Sequence, residues 1–188
     1  MTLNADFDGR AAAQQVAAKC NRHQTFMAGF VGLVPWPVKR VCILGVFEGL
    51  TARALKMADP EIELTLIDAW RPLDPVGYLQ KRRRTMEDWD EVYAGVCREF
   101  SDARIIRLLT QDAAQVVGDA TFDLIFIDAD HREEAVRRDI ELYLPKLKRP
   151  GIFSGHDYGK GGVRRAVHEL VGEDVEPGSE KSWIKVIA

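Results

Sequence analysis

Cysteine is scarce in this chain: Cys20, Cys42 and Cys97 stand far apart, with no CxxC pair. That excludes a disulfide framework and a thiolate zinc site, and it fits a reducing, cytoplasmic setting. An excess of one charge is lacking too, since 26 Lys and Arg against 29 Asp and Glu leave a net charge of -3. No overall positive field exists to hold nucleic acid or an anionic membrane surface. Long apolar runs are also missing. The longest charge-free one, Phe26 to Val38, is broken by Pro35 and Pro37 and falls short of the ~18 residues that a membrane span needs. The opening MTLNADFDGR carries acids where a secretory signal would have a basic start and an apolar core, so no signal is expected.

What is present, 46% hydrophobic and 29% charged residues over 188 positions, is the balance of one globular domain over 1–188. Residues 1–37 read as an N-terminal helical appendage, Ala-rich and then rich in Phe, Met and Val, ended by Pro35-Trp36-Pro37. Its expected uses are to cover the sheet, to shape an acceptor pocket or to pair with a second copy in a homodimer. From 38 onward, short apolar runs recur at 41–45, 64–68, 104–109, 123–128 and 151–157, with SWIKVI at 182–187 closing the chain. Each is continuous, the signature of strands buried on both faces. Helices are expected at about 50–58, 86–100, 112–118, 132–144 and 161–171, which makes a parallel, doubly wound α/β sheet. Pro150-Gly151 is expected to start the fifth strand, and 71–85, with the run Lys81-Arg82-Arg83-Arg84, to form a loop.

In an open parallel sheet, ligands bind beyond the carboxyl ends of the strands. The first strand leads into Gly45-Val46-Phe47-Glu48-Gly49, and the second ends at Asp68, about 20 residues past the first glycine, the interval at which an acid meets ribose hydroxyls. A dinucleotide fingerprint would need glycine where Phe47 and Leu50 stand. The Phe47 ring would obstruct a pyrophosphate and Glu48 would repel one. S-adenosylmethionine, a nucleoside with an amino acid and a cationic sulfonium but no phosphate, avoids both problems. A plain strand-to-helix turn is the alternative use of the glycines. After the third strand, Gln111-Asp112-Ala113 places a carboxylate to meet an adenine amino group, or to cap the following helix. The fourth strand ends in Asp128-Ala129-Asp130-His131 and the fifth in His156-Asp157, charged groups gathered beside buried apolar residues.

With these runs in view, the sequence resembles the class I S-adenosylmethionine-dependent methyltransferases, and within them the small bacterial methyltransferase family 24 subgroup. The resemblance rests on LGVFEG at 44–49, LIDAW at 66–70, QDA at 111–113, FDLIFIDADH at 122–131, LPKLKRPGIFSGHDYG at 144–159, GVRRAVHELV at 162–171 and SWIKVI. It implies a Rossmann-like sheet of seven strands in the order 3-2-1-4-5-7-6, the last antiparallel. Position by position, it implies that Gly45, Phe47, Glu48 and Gly49 line the methionine and ribose end of the cofactor and that Asp68 holds both ribose hydroxyls. Ala69 and Trp70 would border the adenine, Asp112 and Ala113 would lie at its amino group, and Asp128 would sit beside the methionine portion. Two positions depart from the family pattern: Ile43, where an acid is usual, and Phe47, where many relatives have glycine.

Methyl transfer needs alignment of acceptor and methyl and, for a hydroxyl, removal of a proton. His131, His156 or Asp157 are the candidates for that base, a histidine being suited to it near neutral pH; capping of a loop is the other use of each histidine. Related catechol-type O-methyltransferases hold a divalent metal at the places of Asp128 and Asp157, so Mg²⁺ there is an expectation of the resemblance, with Tyr158 standing where an Asn is usual. The alternative is that the same groups act through hydrogen bonds alone. Lys81–Arg84 serves as a solvated loop or meets an acidic acceptor, and Trp70 and Trp89 serve as an aromatic wall or as core. The function expected is O-methylation of a small-molecule hydroxyl. Its alternatives are a non-catalytic nucleoside-binding or scaffold domain and, from the Asp and His cluster, a metal-dependent hydrolase that would leave the glycine turn and Asp68 without a purpose.

Overall fold

A computed structural model describes residues 29, 31–32, 34–71, 86–178 and 181–188. The appendage expected before residue 29 and the run Lys81–Arg84 lie outside the described residues. Of the appendage's end, Val31 and Val34 are buried in the core. Among the described residues no helix is long and apolar enough to cross a membrane.

The elements follow one another as β1 (Arg40–Leu44), α1 (Leu50–Ala58), β2 (Glu63–Asp68), α2 (Met86–Glu99), β3 (Arg104–Arg107), α3 (Thr110–Ala113), β4 (Phe122–Ile127), α4 (Glu133–Tyr143), a 3-10 turn (Leu144–Lys146), β5 (Leu147–Gly155), α5 (Gly161–Leu170), β6 (Glu176–Pro177) and β7 (Trp183–Ile187). They build one seven-stranded sheet in the order β3-β2-β1-β4-β5-β7-β6. β1 to β5 pair in parallel, and β7 runs antiparallel to both β5 and β6. This is the expected Rossmann-like, doubly wound architecture.

Alternation along each strand divides the core in two. Val41, Ile43, Leu64, Leu66, Leu124 and Phe126 meet α1 and α2 on one face, while Cys42, Leu44, Ile67, Ile125, Ile127 and Phe153 meet α4 and α5 on the other. Every residue of β4 is buried, which explains its unbroken apolar run. Asp123 is the polar exception there. Its carboxylate accepts the N–H groups of Lys39 and Arg40 at 3.0 and 2.7 Å and the Lys148 ammonium at 2.7 Å, tying the entries of β1, β4 and β5 together.

Two elements differ from the expected bounds. β5 begins at Leu147, ahead of Pro150, and its register against β4 shifts between the Phe122 and Leu124 positions. The irregularity accommodates a residue without an N–H inside a strand, where a regular ladder would exclude it. α3 begins at Thr110 and ends at Ala113, earlier and shorter than expected, and its N-cap is Leu109 with no side-chain hydrogen bond. Asp112 therefore does not cap it.

Candidate functional site

The strand order reverses between β1 and β4, and the loops leaving their carboxyl ends separate there. Backbone contact holds this junction together. The N–H of Asp128 donates to the Leu44 carbonyl at 2.7 Å, and that of Gly45 to the Ile67 carbonyl at 2.9 Å. Gly45 has φ +83°, and a Cβ on it would lie 2.1 Å from the Asp128 carbonyl oxygen. Only glycine fits.

Asp68 shapes the loop that follows Gly45. Its Oδ2 accepts the N–H groups of Val46 and Phe47, both at 2.9 Å, and its Oδ1 accepts that of Trp70 at 2.7 Å. A carboxylate offers about four acceptor positions, so three are taken and one remains for a ligand. The expectation that Asp68 holds both ribose hydroxyls narrows accordingly. Phe47 (φ 50°) and Trp70 (φ 42°) are both left-handed, a conformation costly for large side chains and stabilised here by those three hydrogen bonds.

The same turns aim the two aromatic side chains inward. The Trp70 indole is fully buried, donates to the Phe47 carbonyl at 3.0 Å and lies 5.0 Å from the Tyr93 ring. Phe47 meets buried Trp89 of α2, ring to ring at 5.6 Å. Trp70 thus buttresses the loop from behind, where it was expected to border an adenine, and Trp70 and Trp89 are core. Ala69 stays partly exposed, Glu48 is exposed, and Gly49 is buried with φ +77° against the Phe100 ring. At the end of β3, Asp112 is exposed and Ala113 buried. The carboxyl ends of β1 to β4 and the loops after them carry the carboxylates Glu48, Asp68, Asp112 and Asp128. That chemistry suits the ammonium, sulfonium, amino and hydroxyl groups of S-adenosylmethionine and opposes a diphosphate.

On the β4 and β5 side, one cluster gathers Asp128, His131, His156 and Asp157. His156 Nδ1 lies 3.4 Å from Asp128 Oδ1 and 3.7 Å from Asp157 Oδ1, between the two carboxylates. His131 Nδ1 lies 3.2 Å from Asp157 Oδ2, and its side chain is 40% exposed against 20% for His156. Asp157 is itself left-handed (φ 59°) and buried. Burial works to raise its pKa, but the Lys160 ammonium at 2.6 Å and the two histidines hold it below the ordinary carboxylate range. Asp130 takes no part in the cluster's pairing: its Oδ1 accepts the Arg132 N–H at 3.0 Å and its Oδ2 the Arg132 guanidinium at 2.5 and 2.8 Å.

Ligand atoms of Asp128, His131 and Asp157 lie within 4.8 Å of one another, a spacing that fits one divalent ion. The mixed nitrogen and oxygen donors favour a transition metal over Mg²⁺. Lys160 already places a positive charge on Asp157. Sequence reading passed over Lys160, whose signal is its place three residues after Asp157.

It also passed over Asp139, an acid on the apolar stripe of α4 with Val136, Ile140 and Tyr143. Asp139 is 2% exposed, its Oδ1 accepts the Thr110 hydroxyl at 2.6 Å, and its Oδ2 has no partner among the described residues. Burial pushes its carboxyl up to about 6, with Thr110 and Arg138 opposing and Asp130 adding to the rise. An acid raised above its unfolded value of ~3.9 burdens the fold only as pH climbs from that value through the folded one. Asp139→Asn is therefore expected to raise unfolding stability by about 2 kcal/mol at pH 8 and by little at pH 4, measured by denaturant titration at both pH values.

Comparison with known proteins bears on the family and the fold. A family model described as a methyltransferase domain matches residues 42–158. No curated protein matches the chain. A structure from Staphylococcus aureus assigned as a caffeoyl-CoA O-methyltransferase superposes with a TM-score of 0.66 at 15% identity, covering 97% of this chain and 93% of that one. A SAH-bound methyltransferase from Podospora anserina gives 0.60 at 11% identity, covering 100% and 90%. A TDP-rhamnose 3'-O-methyltransferase of calicheamicin biosynthesis gives 0.54 at 13%, covering 95% and 77%. At these identities the likeness speaks to the fold.

Proposed function

The chain belongs to the methyltransferase-domain family, and from that premise we propose that it is an S-adenosylmethionine-dependent O-methyltransferase acting on a small-molecule hydroxyl. The observation that carries the reading is the pairing of His131 with Asp157 at the ends of β4 and β5. An imidazole whose Nδ1 faces a carboxylate is favoured in the tautomer that leaves Nε2 as a proton acceptor. Such a group serves a hydroxyl acceptor. Support also comes from the O-methyltransferase activities named for two of the structural neighbours.

When bound, S-adenosylmethionine supplies a methyl group already activated by its sulfonium. In this reading Asp112 accepts the adenine amino group, Asp68 accepts one ribose hydroxyl with its remaining lone pair, and Glu48 and Asp128 balance positive charge toward the methionine end. His131 takes the acceptor's proton at Nε2, and Asp157 steadies the resulting imidazolium. Lys160 keeps Asp157 ionised throughout. His156 lies between Asp128 and Asp157 and spaces the two carboxylates. A divalent ion would be held by Asp128, His131 and Asp157 and would orient an acceptor oxygen; none of these steps depends on it. The net charge of -3 disfavours nucleic acid as the acceptor.

Calorimetry tests the cofactor assignment. S-adenosylhomocysteine is expected to bind and NAD to give no measurable heat; comparable affinity for NAD would overturn it. Turnover over a panel of phenolic and sugar hydroxyls then tests the enzyme assignment. Cofactor binding with no methyl transfer to any of them would favour a nucleoside-binding domain without catalysis, a reading to which Ile43 in the place of the usual acid lends weight.

A further inference from the structure

α3 is four residues long, begins without a side-chain cap and is followed directly by turns. A single helical turn does not hold itself in water, because nucleation costs more than one turn of hydrogen bonds returns. Its stability has to come from a neighbour. Three side chains of α4 reach it: Asp139 accepts the Thr110 hydroxyl at 2.6 Å, Tyr143 donates to the Thr110 carbonyl at 2.8 Å, and Arg138 donates to the Gln111 side-chain carbonyl. The first two contacts are made by residues on the apolar stripe of α4, where Asp139 keeps one carboxylate oxygen buried without a partner among the described residues. Packing alone would favour a leucine at that position. What the carboxylate does that leucine cannot do is grip Thr110, two residues before Asp112.

We propose that Asp139 is a positioning residue for the nucleoside end of the cofactor site, fixing α3 through Thr110 so that Asp112 stands ready for the adenine. The inference rests on the assignment of Asp112 given above. It also makes α4 a shared support. Its first residue, Glu133, follows the His131 loop directly, while its second and third turns grip the adenine loop.

The test is a double-mutant cycle on S-adenosylhomocysteine affinity by calorimetry, with Asp112→Ala alongside. Asp139→Ala and Thr110→Val are each expected to raise the dissociation constant about five- to ten-fold, the usual effect of one buried hydrogen bond. The double variant is expected to be no worse than either single one. Asp139→Asn keeps an acceptor for Thr110 and should retain wild-type affinity, which a merely structural role would not demand of it. In turnover, KM for S-adenosylmethionine should rise while KM for the acceptor stays unchanged. If Asp112→Ala weakens binding and Asp139→Ala does not, the clamp is refuted and the adenine assignment stands. If Asp112→Ala changes nothing, the assignment falls and takes the inference with it. Additive effects in the cycle, or Asp139→Asn as weak as Asp139→Ala, would also refute it. Should Asp139→Ala fail to fold, Thr110→Val, which keeps the side-chain shape, decides the matter alone: wild-type affinity in that variant overturns the proposal.

Discussion

Replacing Asp68 with alanine is expected to weaken S-adenosylhomocysteine binding by about 100-fold and to lower unfolding stability by about 2–4 kcal/mol. The two losses have one origin. Asp68 accepts the N–H groups of Val46, Phe47 and Trp70, and hydrogen bonds to an ionised acceptor contribute about 1.5–3 kcal/mol each. Without them Phe47 and Trp70 have little reason to stay left-handed, and the turn after Gly45 loses its shape. A ligand hydroxyl loses its acceptor at the same time. Asp68→Asn separates the contributions: its oxygen can serve Val46 and Phe47, but its NH₂ then confronts the Trp70 N–H. An intermediate affinity is the expected result. Calorimetry with a parallel denaturant titration reads both effects, and a folded Asp68→Ala protein with wild-type affinity would remove Asp68 from the cofactor site.

Asp157→Asn is expected to cut turnover by about 100-fold or more while leaving S-adenosylhomocysteine affinity within about two-fold, as befits a group that acts on the acceptor's proton. Asparagine cannot hold both the His131 Nδ1–H and the Lys160 ammonium as an anion does. The imidazole loses its orientation and the stabiliser of its charged form. Because Lys160 already places a positive charge on Asp157, wild-type activity should survive a strong chelator. Loss of activity with chelator, restored by Mn²⁺, would instead give the orienting role to a metal at Asp128, His131 and Asp157. Unchanged turnover in Asp157→Asn would exclude Asp157 from the chemistry.

The central strands were legible because they are buried on both faces: apart from Asp123, whose carboxylate is fully paired, β4 holds only apolar residues, so FDLIFI announces itself. Gly45 was legible because backbone geometry admits no other residue there. The start of β5 was hidden by Pro150, which reads as a boundary in isolation and is accommodated by a shift of register that depends on the neighbouring strand. Phe47 and Trp70 were found but misdirected. A positive φ turns a side chain away from the path a regular turn would give it, and at both positions that φ is held by the Asp68 carboxylate, 21 residues from Phe47 and two from Trp70. Asp139 and Lys160 escaped notice for related reasons. Thr110 and Asp139 are 29 positions apart, while the Lys160 contact, though local, has meaning only once His131 arrives at the same carboxylate from the loop after β4.

The contact between Gly45 and the Asp128 carbonyl has a mechanical consequence. With the Asp128 N–H bonded to Leu44 on one side and the bare Gly45 Cα pressed against the Asp128 carbonyl on the other, the loops after β1 and β4 cannot slide past each other. The two loops that flank the crevice are therefore registered by main chain alone. Side chains along those loops can change without disturbing the alignment of the two strand ends, which the backbone alone sets.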